Sequence, residues 1–399
     1  MWVIDRVLGQ LGPGLTILCT YIVHANIRFT KSFGAAEDVS PSMCFQTSNT
    51  VESLATCFDK FTVPWAYYDL PTYNLAQPSD RQRQDWRKAV YALLSVDGNC
   101  SDLRVLLPES IQSFYTMASF QDFCVLYEKI APGGVYSKGW GFMIVPATQA
   151  GVSRAVHFSA PHPQYDLGTV EQAASLFRST GSRSLLVAGR TRTAFLDPSD
   201  CTAPTSGSQV YYKTDPAHNN LEPFFDASIV IYDWQRIHGG CPSSSCAFIQ
   251  MHGKGTSTCS NDTVFLSSGL GNSYASWYTD STDRPIKRLQ HNLRLAFPLW
   301  NVSLPSESDC LLTATRNVVG RRINGINPQH VCSVAADSDG ATGEWVHIEQ
   351  ATIARIGDSF EGWSQAITHS FPSHPSHAAL QPITLPSIIQ ENKHLVLRP

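Results

Sequence analysis

The sequence predicts an α/β protein: a mixed, mostly parallel sheet with helices on both faces, preceded by a helical, disulfide-bearing N-terminal extension. Three observations carry this. From Gly139 onward, short apolar runs are separated by Gly, Pro, Asn and Ser, the pattern of strands joined by short loops. Several runs are apolar throughout instead of alternating, as strands covered on both faces are. Between two of them, residues 171–178 (EQAASLFR) have a helical period, which supplies the crossover that parallel strands require.

The elements follow in chain order. Residues 1–25 read as a signal peptide, with Asp5 and Arg6, then the apolar run LTILCTYIV ending at Val23, then His24 and Ala25 at a small-residue cleavage site. That run is too short to span a bilayer, which needs about 20 apolar residues, so no membrane anchor is expected. Residues 26–138 form an N-terminal cap or extension. Within it, 80–96 is a helix whose apolar stripe is Trp86, Val90, Leu93 and Leu94. The main domain is 139–370, with strands expected at 141–145, 155–159, 184–188, 228–232, 247–251, 264–266 and 345–348. From Phe371 to Pro399 the chain is a Pro-rich tail without period.

Composition excludes several classes. Of the 399 residues, 43% are hydrophobic and 16% charged, which describes a folded chain and not a disordered or coiled-coil one. A net charge of −4 gives no basic footprint, so no nucleic-acid partner is expected. Cys19 lies in the leader, leaving ten cysteines: an even set that reads as up to five disulfides of a secreted, extracellular protein. Cys241 and Cys246 lack a second close ligand pair for a structural metal site and read as one of those disulfides. Sequons at Asn99, Asn261 and Asn301 predict a glycoprotein.

Ligand-binding groups in open α/β sheets collect at the carboxyl ends of strands. Four runs end in chemistry: 155–159 leads to His162 and Asp166, 184–188 to Arg190 and Arg192, 247–251 to His252, and 345–348 to Glu349. His162, Asp166 and His252 make a three-ligand set for one zinc ion with a fourth position left for water. A zinc site lowers the pKa of bound water to about 7, and Glu349 is the candidate general base that relays its proton. In an extended segment His347 and Glu349 share one face, with Val346 and Ile348 on the other. Arg190 is the candidate that polarises the scissile carbonyl, and Arg192 with the polar loop residues Asp215, His218 and Asn219 is expected to bind substrate. Arg316, Asn317 and the Gly320–Gly325 stretch form a further polar cluster to which the sequence assigns no mechanism.

This constellation resembles the zinc carboxypeptidase-like hydrolases, and within them the phage-type poly-γ-glutamate hydrolases. The resemblance is carried by His162, by Asp166-Leu167-Gly168-Thr169 with Asp in place of Glu, by His252 after a strand, and by Glu349 near the end of the domain. It covers the chain from about His157 to Gln350 at motif level. Two departures matter: the His-to-acid spacing is one residue shorter than the family pattern, which leaves Glu171 as a rival to Asp166, and Pro163 and Gln164 replace glycines. The resemblance implies hydrolysis of an amide or peptide bond in a small-molecule, peptide or polymer substrate of anionic or γ-glutamyl type.

Two other readings compete. A serine hydrolase is disfavoured because no Gly-x-Ser-x-Gly elbow is present, and Gly357-Asp358-Ser359 comes after all the candidate strands. The alternative from a different class is a non-catalytic secreted carbohydrate- or protein-binding protein, to which the 11% aromatic content would give a binding surface.

Overall fold

The computed structural model describes residues 40–130, 134–204 and 209–373. The signal peptide at 1–25 and the Pro-rich tail from 374 onward lie outside the described residues. The described helices are, in order, α1 (Pro41–Thr47), α2 (Val51–Asp59), α3 (Leu70–Ala76), α4 (Asp80–Leu94), α5 (Cys100–Val105), α6 (Glu109–Gln112), α7 (Thr169–Ser179), α8 (Pro223–Ile237), α9 (Ala275–Thr279), α10 (Pro285–Ala296), α11 (Val318–Ile323) and α12 (Phe360–Ser370). The strands are β1 (Tyr115–Phe120), β2 (Phe123–Glu128), β3 (Phe142–Pro146), β4 (Arg154–Ala160), β5 (Ser182–Val187), β6 (Cys246–Gly253), β7 (Val264–Ser267), β8 (Val302–Ser303) and β9 (Trp345–Gln350).

The nine strands form one sheet in the order β1-β2-β3-β5-β4-β6-β9-β7-β8. Its centre is parallel: β4 pairs in parallel with β5 and with β6, and β6 with β9. Toward one edge β5, β3, β2 and β1 run alternately antiparallel, and on the other side β7 is antiparallel to β9. The architecture is therefore the mixed sheet, parallel at its core, that the apolar runs predict. The expected strand at 228–232 is a correction: Ser228 to Tyr232 lie within α8. A short β-branched run cannot by itself distinguish strand from helix. Here Pro223 sits in the first turn, and Phe224, Ala227, Ile231 and Trp234 form one buried stripe, which settles the run as helical.

Two apolar layers sandwich the sheet. On one face α2, α7, α10 and α12 cover Val156 and Phe158 of β4, Ile249 and Met251 of β6, and Val346 and Ile348 of β9. On the other, α4, α8 and α11 cover Met143, Leu186, Phe248 and Trp345. The period-2 alternation places Gln250, His252, His347 and Glu349 on the α8 and α11 side, as expected for His347 and Glu349. The N-terminal extension carries the disulfides Cys44–Cys57 and Cys100–Cys124, and it also supplies β1 and β2, a hairpin the sequence reading missed. The other pairs are Cys201–Cys332, Cys241–Cys246 and Cys259–Cys310, so the ten cysteines form five disulfides and Cys241 pairs with Cys246 as expected.

One buried polar contact ties the crossover helix to the strand that carries Glu349. Gln172 of α7 and Gln350 of β9 exchange two amide hydrogen bonds, each 2.9 Å, and Gln172 also donates to the Ala354 carbonyl at 2.9 Å. Both side chains are fully buried. Substitution Gln172→Leu leaves the Gln350 amide without these partners and should destabilise the fold by about 1–3 kcal/mol, read by urea denaturation; an unchanged midpoint would show that the pair contributes nothing.

Candidate metal centre

The site forms where β4 and β6 end side by side. β4 stops at Ala160, and the chain turns at once: the Tyr165 and Asp166 amides donate to the His162 carbonyl at 3.2 and 2.9 Å. The turn needs Gly168 at φ +90°, where a Cβ would stand 2.7 Å from the Arg355 carbonyl oxygen. α7 then begins at Thr169, whose hydroxyl donates to the Asp166 carbonyl at 2.7 Å. The result is His162 and Asp166 facing each other across one turn, both buried. His252, next to last in β6, comes in from the neighbouring strand.

Three ligand atoms converge. His162 Nδ1 lies 3.1 Å from Asp166 Oδ2, His252 Nδ1 lies 3.2 Å from His162 Nδ1, and His252 Nδ1 lies 3.4 Å from Asp166 Oδ2. The other ring nitrogens fix the tautomers. His162 Nε2 meets Asp215 Oδ1 at 3.0 Å, and a carboxylate only accepts, so the proton sits on Nε2. For His252 the chain of reasoning is longer. Asn317 Oδ1 caps α11 by accepting from Val319 and Gly320, so its Nδ2 is the donor to Gln250 Oε1 at 2.6 Å; Gln250 Oε1 therefore also accepts from His252 Nε2 at 2.8 Å. Both Nδ1 atoms are left with lone pairs pointing at each other and at a carboxylate oxygen. In the neutral tautomers no hydrogen bond satisfies three facing acceptors; a second proton on His162, or a metal cation, does.

The spacing matches a metal. Bonds of 2.0–2.1 Å directed to the corners of a tetrahedron put the ligand atoms about 3.3 Å apart, as the three observed separations are. Asp166 is the buried acidic neighbour of the two imidazoles, whereas Glu171 is exposed on α7. A second cluster, His252, His347 and Glu349, lies alongside. There His347 Nδ1 meets the Ser267 hydroxyl at 3.4 Å, and Ser267 spends its own proton on the Thr313 carbonyl, so His347 Nε2 faces Glu349 Oε1 at 3.6 Å. A third, Cys259 with Asp262 and Cys310, has its sulfurs in a disulfide and offers no thiolate.

Electrostatics separate the two carboxylates of the site. Burial opposes ionisation of Asp166, but His162 and His252 outweigh it and hold the carboxyl far below its usual range. Glu349 goes the other way: burial, then the Asp166 charge, push it up to about 8. Burial takes His252 down to about 4 and His347 well below its ordinary value. His162 is pulled down by burial and by Arg192, yet Asp215 and Asp166 carry it above the usual imidazole value.

The structure distributes the remaining candidates as follows. His162, Asp166, Arg192, His218, His252 and Glu349 line one cavity of about 440 Å³, together with Tyr165, Tyr211, Lys254 and Arg316. Arg190 is a correction. Its guanidinium is fully buried away from this cavity, donates to Glu222 at 2.8 Å and lies over the rings of Tyr68 and Tyr73. It leaves the same strand as Arg192, but a side chain two residues away need not reach the same space. Asn219 is a second correction: it is buried, its amide donates to the Lys213 carbonyl and its oxygen accepts from Leu221, so it shapes the turn. Asp215 does not line the cavity either; it stands behind His162, where it also accepts from Arg192, from His218 Nδ1 at 3.0 Å and from the Ala217 amide at 3.1 Å. Gln250 and His347 were missed as site residues, although period 2 puts them on the face of His252 and Glu349.

No protein-family profile matches the sequence, and no curated protein does. Among solved structures, the chain is similar to the structure of a bacteriophage poly-γ-glutamate hydrolase, at 15% identity and a TM-score of 0.29 over 55% of this chain and 85% of that one. It is also similar to a metallo-carboxypeptidase from Burkholderia cenocepacia, at 10% identity and a TM-score of 0.30 over 74% of this chain and 68% of that one. Neither likeness assigns a role to a residue of this chain.

The raised Glu349 has a consequence for stability. Between pH 4.5 and 8 the folded, metal-free protein keeps that carboxyl protonated while the unfolded chain ionises it, so stability contributed below pH 4.5 is lost as pH rises through 8. In chelator, Glu349→Gln should flatten this decline and be more stable than the parent at pH 8.5. Denaturation curves at pH 5 and 8.5 that differ equally in both proteins would exclude it.

Proposed function

We propose that this chain is a secreted, zinc-dependent hydrolase that cleaves an amide or peptide bond in an anionic, γ-glutamyl-type substrate, with His162, Asp166 and His252 as the ligands of one zinc ion and Glu349 as the general base. The observation that carries the reading is the convergence of two imidazole nitrogens and a carboxylate oxygen at tetrahedral spacing beside an open cavity. Two imidazoles and a carboxylate, with no thiolate available among the described residues, suit zinc. When bound, zinc supplies a Lewis acid that makes water nucleophilic near neutral pH.

The chain's own residues do the rest. Glu349, opposite His252 in the β6–β9 register, takes the proton of the attacking water and passes it to the leaving nitrogen. Its raised pKa in the metal-free protein suits a group that must both accept and release a proton, and a cation beside it favours the ionised, proton-accepting form. Asp215 holds the Nε2 proton of His162 and so aims Nδ1 at the metal. Arg192, Lys254 and Arg316 line the cavity as cations and support an anionic substrate. Arg192, not Arg190, is the guanidinium available to a scissile carbonyl.

Export is supported by five disulfides, by exposed sequon asparagines at 99, 261 and 301, and by the finding that no described helix is long and apolar enough to cross a membrane. The purified protein should contain one zinc per chain. Paired substitution of His162 and His252 by Ala should abolish it, and metal retained in that variant removes the hydrolase reading. Glu349→Gln should keep zinc and lose turnover by about 10²–10⁴-fold in a screen of peptides and γ-glutamyl polymers; undiminished activity eliminates Glu349 as base. Asp215→Asn should weaken zinc about 10–100-fold in competition with a chelator, and unaltered affinity would show that the Asp215–His162 contact does not tune the site.

A further inference from the structure

We propose that His218 is the cavity's reader of a substrate N–H: an acceptor, fixed in place, that selects an amide over the ester of the same shape. The inference rests on the hydrolytic reading of this cavity and names what the site recognises there.

The ring is held by more than one contact. Nδ1 stands 3.0 Å from Asp215 Oδ2, an oxygen that also accepts from Arg192. With Arg192 upon it, Asp215 is a carboxylate and accepts only, so the proton is on His218 Nδ1. The imidazole lies flat on Tyr211, with centroids 3.6 Å apart and planes 8° from parallel. The backbone is pinned as well, since the His218 amide donates to the Asp215 carbonyl at 3.0 Å and the Thr202 hydroxyl donates to the His218 carbonyl at 3.2 Å. Rotating the ring to present Nδ1 would forfeit the Asp215 bond.

What remains for the cavity is Nε2, a bare lone pair. It has no hydrogen-bond partner among the described residues, and the residue lines the cavity with 14% of its side chain exposed. Burial lowers the imidazole's affinity for a second proton, although Asp215 opposes this, and the ring is neutral at physiological pH. A neutral acceptor does not bind a carboxylate, so the anionic groups of a substrate fall to Arg192, Lys254 and Arg316. His218 requires a donor. An amide supplies one; an ester places an oxygen lone pair against Nε2 and leaves the ring nitrogen desolvated without a partner.

The test uses a γ-glutamyl tripeptide and its analogue with ester oxygens in place of the amide N–H groups, titrated calorimetrically into the zinc-loaded Glu349→Gln protein so that neither is consumed. The amide should bind about tenfold or more tightly than the ester, the worth of one neutral hydrogen bond in a partly exposed site. In the same background His218→Phe keeps an aromatic ring on Tyr211 but removes the acceptor, and the ratio should fall to near one. ¹⁵N spectra of labelled histidine in the Glu349→Gln protein give a second readout that needs no substitution at 218: Nε2 should be unprotonated at pH 7 and should shift with the amide and not with the ester. Equal binding of the two probes, binding of neither, an amide preference that survives His218→Phe, or a proton on Nε2 each overturns the proposal. Failure of the hydrolase reading is seen separately, as absent zinc or absent turnover in the unsubstituted protein before any probe is added.

Discussion

The site is organised around a carboxylate that has no contact with solvent. Asp215 is fully buried, and an ionised carboxylate so placed costs several kcal/mol unless its lone pairs are filled. Here four donors fill them: His162 Nε2 and the Ala217 amide on one oxygen, Arg192 and His218 Nδ1 on the other. Burial would raise its pKa, but Arg192, then His218 and His162, hold it well below the carboxylate range. Because each donor must point inward to Asp215, the opposite edge of each is aimed outward. One acceptor thus orients the Nδ1 of His162, a guanidinium and a second imidazole toward the same cavity.

Such precision needs rigid walls, and the cavity is lined mostly by loops. Two disulfides stand where those loops would otherwise be free. Cys201–Cys332 ties the part of the chain near Arg192, Asp215 and His218 to the segment following α11. Cys259–Cys310 joins the loop after β6, with Lys254 and Thr258, to the loop holding Leu311, Thr315 and Arg316. Lys254 reinforces the second clamp by donating to the Thr258 and Cys259 carbonyls at 3.2 and 3.0 Å. Crosslinks that span 131 and 51 residues restrict the unfolded chain strongly, about 5 and about 4 kcal/mol respectively in the chain-entropy model. Their second effect is local, in that both end beside the loops that must not move.

Where a feature depended on periodicity or on strand ends, it could be read from the sequence. The parallel core, α4, α7, the positions of His162 and Asp166 after a strand and of His252 near a strand end, and the shared face of His347 and Glu349 all follow from periods of 2 and 3.6. Residues 228–232 misled because a run of five centred on three β-branched residues, Ile229 to Ile231, is compatible with either period, and only the flanking Pro223 and the stripe through Trp234 decide it. Arg190 and Asn219 misled for a different reason. Sequence places a polar residue in a loop but not the direction of its side chain, and Glu222 and the Lys213 carbonyl, which capture these two, sit 32 and 6 residues away. The pairing of Gln250 with Asn317 is invisible for the same reason: it joins residues 67 apart through the cap of a short helix.

Two carboxylates within one small cavity would repel if both were ionised, and the fold resolves this by giving them unequal surroundings. Asp166 is wedged against His162 and His252, whose charge and hydrogen bonds stabilise its ionised form against burial. Glu349 has burial and the Asp166 charge against it, and its near neighbour His347 presents a lone pair to it instead of a proton. It therefore holds its proton in the metal-free protein. A dication among the three converging atoms would shift that balance: it binds two imidazoles and Asp166, offsets the Asp166 charge that adds to burial in raising Glu349, and favours the ionised form of Glu349. The same three converging atoms are thus the ones whose occupation by a cation would turn Glu349 from an acid into a base.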